Sequence, residues 1–270
     1  MASVNISNYA LPLTRLIRRA KPLSSDLWVF SYVAIVIIAT QLTLAYRPLG
    51  GVYVDAAAIV LLVTMAMSRE KARFLVISVT VLPVTNLLML ALPHQDAFAQ
   101  AVIFYDTLLL LTLIYRYWFS DDQPVKNTSL ALKNYLFLLP LMIIIGQVLG
   151  FVGYGLLRRH FAFTHQGSLV LISLAAVIFA FAEEMLFRGL IQAEATRIMN
   201  KLLAAILSAG LYAALFIDHA SALPFLFGVI AGCVLSAAYY IKPNLVLTTT
   251  INASMKLVYI ALLATFVLYK

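Results

Sequence analysis

The chain has a single cysteine, Cys233, so no internal disulfide can staple it. It is also short of charge. Asp, Glu, Lys and Arg make up 11% of its 270 residues, against about 25% in soluble proteins. That leaves too little polarity for a disordered chain, and 11 glycines are far too few for a collagen-like fibre. What the chain does have is apolar: 63% of it is hydrophobic and its mean hydropathy is +0.98. A soluble core could not bury that much apolar surface. The composition is that of an all-α, polytopic membrane protein.

The net charge of +8 invites a nucleic-acid reading, but its placement argues against one. Lys and Arg fall in short clusters between apolar runs and form no continuous basic stripe, which suits a membrane surface better than a nucleic-acid groove. Near the N-terminus Arg15, Arg18, Arg19 and Lys21 precede an apolar run with no small-residue cleavage site behind it. That run reads as an uncleaved first span.

A helix needs about 20 apolar residues to cross the hydrocarbon. Runs of that order lie near 27–46, 52–68, 74–93, 100–117, 134–157, 168–190, 202–218, 222–241 and 244–269, predicting a helical bundle of eight or nine spans. The runs are continuous, whereas a transmembrane barrel needs alternating strands of about ten residues. With the N-terminus inside, 14 Lys and Arg residues fall on the cytoplasmic side and four (Arg47, Arg158, Arg159 and Lys270) on the other. The positive-inside rule therefore predicts a cytoplasmic N-terminus.

Ionisable residues within such spans are costly and mark candidate functional groups. They are Asp55, Asp106, Glu183, Glu184, Asp218, His219 and Lys256. Asp55 and Asp106 fall near predicted span ends, where water or headgroups can solvate them. In the sixth span Glu183 and Glu184 follow fourteen residues of which only Ser173 is polar. Glu184 and Arg188, at i and i+4, can pair on one helix face. Glu183 projects about 100° away, beside Phe179 and Phe187. With a like charge next to it and no cation on its own face, it is the acid best placed to exchange a proton, as a general base for water activation must. Counted from residue 200, Glu183 lies 17 residues before and His219 lies 19 after. Two antiparallel helices at about 1.5 Å per residue would bring them to one level, where both could hold a single water. Gly228, Gly232 and Ser236 form a small-residue stripe, which by itself means close helix packing.

These residues resemble a family. EEMLFRG, Glu183 to Gly189, is similar to the EExxxR motif of the CAAX-processing and bacteriocin-immunity (CPBP) membrane proteases, also called type II CAAX prenyl endopeptidases. FIDH, Phe216 to His219, resembles the second motif, although the family's spacing is FxxxH. The stretch from Phe227 to Lys256 resembles the third block, a GxxxG helix and a turn before HxxxN. The resemblance spans about residues 165–262 and divides the chain into N-terminal helices of unassigned role, 1–164, and a CPBP-like intramembrane protease domain, 165–270.

What the resemblance implies is an intramembrane glutamic endopeptidase. Glu183 and His219 would activate water, Glu184 and Arg188 would support the site, and the positions of Asn252 and Lys256 would bind and stabilise the oxyanion. The last pair departs from the family, which has histidine and asparagine there. A lysine could supply positive charge to an oxyanion; the alternative is a catalytically inactive scaffold or immunity protein on the same fold. One histidine and two adjacent glutamates make a poor zinc set, so no metal or cofactor is expected. A transporter would place broken spans at matching positions in two halves, and none occur. The expected partners are a membrane-anchored protein or peptide substrate and the lipid bilayer, with no nucleic acid. The expected location is a bacterial cytoplasmic membrane.

Overall fold

In the computed structural model, residues 23–46, 48–91, 97–119, 132–157, 168–217 and 221–268 are described. The helices run in chain order: α1 (Leu23–Tyr46), α2 (Pro48–Ser68), α3 (Arg73–Ala91), α4 (Ala97–Phe119), α5 (Leu132–Leu157), α6 (Leu169–Glu184), α7 (Ala193–Ile198), α8 (Lys201–Ala214), α9 (Leu223–Ile241) and α10 (Leu245–Leu268). A π-helical stretch, Met185–Gln192, joins α6 to α7 in one rod, Leu169–Ile198. Among the described residues there is no strand. This follows from the solvent: in hydrocarbon every backbone polar group must be satisfied within its own segment, which a helix does.

Each of the nine apolar runs forms a helix. Seven of the resulting segments are long and apolar enough to cross a membrane, and the described parts of the first and seventh runs, Trp28–Thr43 and Lys201–Ala214, are shorter. The 14 residues of α8 extend about 21 Å, less than the roughly 30 Å of a hydrocarbon core. Local chemistry sets the boundaries around it. Asn200 caps α8, its side chain accepting from the Leu203 amide at 2.8 Å. After α9 the sequence Lys242-Pro243-Asn244 breaks the helix, because the residue before proline is pushed towards extended backbone. Asn244 then accepts from the Leu247 amide at 3.1 Å to open α10.

Packing runs through consecutive hairpins and three contacts between helices further apart in the chain. Helix α2 packs on α1 and α3, α3 on α4, and α4 on α6; α6 packs on α10, α10 on α5, and α9 on α8. Two of these contacts are close enough to require glycine. A Cβ on Gly232 of α9 would lie 2.7 Å from the Ala209 carbonyl oxygen of α8. On α5, Gly146 faces the Ile251 carbonyl, and a Cβ on Gly150 would lie 2.7 Å from the Met255 carbonyl oxygen. The stripe on α9 therefore packs as its spacing predicts, and a second one on α5 seats α10, the helix that carries Asn252 and Lys256. Asp55 is not solvated at a span end: it is fully buried in α2. Asp106 is exposed on α4.

Candidate active site

Glu183 and Glu184 end the α-helical part of α6, and both are fully buried. The next turn is π-helical, and all eight of its residues are buried. Such wide turns occur often at functional sites. Here the stretch carries Arg188 and Gln192, and both reach α9. Arg188 Nη2 donates to the Gly232 carbonyl at 3.2 Å and lies 3.5 Å from Ser236 Oγ; Gln192 Nε2 donates to the Ser236 carbonyl at 3.1 Å. From α8, Ser208 Oγ donates to the Phe187 carbonyl at 2.8 Å. The acid-bearing rod is thus held by polar contacts to two neighbouring helices.

Arg188 Nη1 pairs with Glu184 Oε1 at 3.2 Å, the i, i+4 pair that the sequence predicts, and both side chains are fully buried. The Arg188 guanidinium also lies 4.8 Å from the centre of the Tyr212 ring. Asn252 Nδ2 sits between the two acids, 2.9 Å from Glu183 Oε2 and 2.9 Å from Glu184 Oε1.

Glu183 differs from its sequence expectation. Its own helix surrounds it with phenylalanines, but other helices supply four donors. Tyr105 of α4 donates to Oε1 at 2.6 Å and the Lys256 ammonium of α10 lies 2.9 Å from the same oxygen. Asn252 and, at 3.3 Å, Tyr212 of α8 donate to Oε2. Two carboxylates and two cations make a neutral quartet, the arrangement that lets buried charge persist at low dielectric. Lys256 is the one member that reaches outward, its side chain 18% exposed while Glu183, Glu184 and Arg188 are fully enclosed.

The structure therefore brings together Glu183, Glu184, Arg188, Asn252 and Lys256. Asp218 and His219 lie outside the described residues. Two tyrosines join the cluster without any flag in the sequence. Tyr105 belongs to a span that matches no motif, and Tyr212 lies seven residues before His219 in the sequence but in neither motif. Among the described residues, three buried polar atoms of the cluster have no hydrogen-bond partner: Glu184 Oε2, Arg188 Nε and Asn252 Oδ1. Among the described residues no three His, Cys, Asp or Glu side chains are gathered as a metal set.

The carboxylate pair and its cations lie within a bundle that includes seven helices long and apolar enough to cross a membrane. Residues 165–258, about a third of the chain, match the family model described as type II CAAX prenyl endopeptidase Rce1-like. The match agrees with the resemblance read from EEMLFRG and the segments after it. No curated protein and no solved structure matches the chain. With the seven apolar helices, the match makes this an integral membrane protein whose C-terminal segment is similar to CAAX-processing endopeptidases.

Proposed function

We propose that the protein is an intramembrane endopeptidase that hydrolyses a peptide bond of a membrane-anchored protein or peptide, with Glu183 as general base. The observation that carries this reading is the buried Glu183–Glu184 pair, with Asn252 bridging both acids and a cation on each. Glu183 takes a proton from water while the water oxygen bonds to the scissile carbonyl carbon and the carbonyl electron pair moves onto oxygen. As the carbon–nitrogen bond breaks, the proton passes from Glu183 to the leaving amine. His219 orients the water, Arg188 and Glu184 fix the helix turn, and Asn252 and Lys256 donate to the oxyanion. The chemistry is assigned to residues 165–270, framed by the helices before residue 165. The basic-residue split supports a cytoplasmic N-terminus, and we assign the protein to a bacterial cytoplasmic membrane. Comparison of membrane-proteome C-termini between wild type and Glu183→Ala tests the activity. A set of shortened C-termini present only in the wild type is expected, and identical C-termini would sink the proposal.

One observation favours a second reading. The Lys256 ammonium occupies Glu183 Oε1 at 2.9 Å, as it would in a non-catalytic scaffold whose acid has been neutralised. Lys256→Met keeps length and removes charge, so the two readings diverge. Losing an oxyanion donor typically costs about 100- to 1000-fold in turnover, and a loss of that order is expected. Wild-type cleavage by Lys256→Met would end the oxyanion role. If the wild type is inert and the double change Asn252→His with Lys256→Asn cleaves, the natural protein is a scaffold.

A further inference from the structure

We propose that Tyr105 is a positioning residue of this site: its hydroxyl, with Lys256, occupies one oxygen of Glu183 and leaves the other to take the proton from water. The inference rests on Glu183 being the base. It concerns a residue outside the matched segment, on a helix with no assigned part in the chemistry.

A carboxylate has two oxygens, and a water molecule is activated at the one with lone pairs to spare. Oε1 of Glu183 takes two short bonds, from the Tyr105 hydroxyl at 2.6 Å and from Lys256 at 2.9 Å. Oε2 takes one short bond, from Asn252 at 2.9 Å, and one from the Tyr212 hydroxyl at 3.3 Å. The latter is beyond the usual range of roughly 2.5–3.0 Å for a hydroxyl donor. The carboxylate is therefore unevenly loaded, and Oε2 is the working oxygen.

The direction of the Tyr105 hydroxyl is fixed by its ring. The ring stacks on Phe179 of α6, centres 4.3 Å apart and planes 20° apart, and Phe104 meets it edge-on at 5.2 Å. Phe179 is one helical turn before Glu183, so the stack and the hydrogen bond lie on one side of the same helix. The Lys256 ammonium lies 5.6 Å from the Tyr105 ring centre, so the two donors to Oε1 come from adjoining positions on α4 and α10. The ring supplies the stack between α4 and α6, and the hydroxyl supplies the bond to Glu183 Oε1.

This separation makes the assignment testable with Tyr105→Phe in the full chain, because phenylalanine keeps the stack and removes only the hydroxyl. The probe is a fluorogenic membrane-anchored peptide copied from a C-terminus shortened in wild type but not in Glu183→Ala. For Tyr105→Phe, kcat is expected to fall about 10- to 100-fold, the range that one hydrogen bond to a charged group accounts for, with KM within about twofold. The infrared carboxylate band that vanishes in Glu183→Gln should shift in Tyr105→Phe, a readout that needs no substrate. An unchanged kcat with an unshifted band, or a loss carried by KM or by the folded fraction, overturns the assignment. Glu183→Gln is measured beside it. If Glu183→Gln cleaves like wild type, the general-base reading fails and the Tyr105 role fails with it. If Glu183→Gln is dead and Tyr105→Phe is unaffected, only the role of Tyr105 fails.

Discussion

Arg188→Met is expected to destabilise the folded chain by about 3–5 kcal/mol, the usual cost of removing one partner from a buried ion pair. Arg188 and Glu184 are both fully buried at 3.2 Å, so neither can turn to water when the other is lost. Glu184 would keep the Asn252 amide on Oε1, and its Oε2 has no hydrogen-bond partner among the described residues. The same substitution cuts one of the ties to α9, because Arg188 Nη2 bonds the Gly232 carbonyl. Two losses therefore coincide, an orphaned charge and a released helix contact, and a double-mutant cycle separates them. Adding Glu184→Gln to Arg188→Met removes the orphaned charge and leaves the contact broken. The double variant should be clearly more stable than Arg188→Met alone, yet still below wild type. Unfolding in detergent, followed for the four proteins of the cycle, provides the check. If the two changes simply add, the pair is not the electrostatic unit that its geometry implies.

How far the sequence could foresee this site depends on where each group gets its partners. The Glu184–Arg188 pair was legible because both residues lie on one helix, and i, i+4 spacing alone brings them together. The helices among the described residues were legible for a similar reason: in lipid a continuous apolar run has few options besides a helix. The environment of Glu183 is not legible from its own helix, which supplies only apolar neighbours and the adjacent acid. Its donors come from α4, α8 and α10, and no spacing rule spans such distances. Tyrosine is also a poor signal within an apolar span, since only its tip is polar and the rest reads as core. The π-helical turn was hidden as well, because GLIQ after EEMLFR has nothing that forbids an ordinary helix. The glycines of α5 carry no signal in hydropathy; what requires them is the close approach of the Ile251 and Met255 carbonyls of α10.

The two adjacent acids should fail in different ways when each is made neutral. Glu183→Gln keeps the shape of the side chain, and its amide oxygen can still accept from Tyr105 and Lys256. Lys256 is partly exposed, so loss of its countercharge is softened by solvent or headgroups. The fold should therefore tolerate the change. Turnover should not: a general base contributes typically 100- to 10,000-fold, and cleavage of a validated substrate is expected to drop by about that factor. Glu184→Gln reverses the pattern. It leaves the Arg188 guanidinium fully buried with only neutral acceptors, Gly232 and Ser236, so about 3–5 kcal/mol of stability should go first. Any loss of turnover should then follow the loss of folded protein. Both variants are measured for cleavage per folded molecule and for unfolding in the same detergent. Equal loss of turnover with equal stability would mean that the acids work as one unit. Wild-type turnover by Glu183→Gln would mean that the four donors around that carboxylate serve the fold alone.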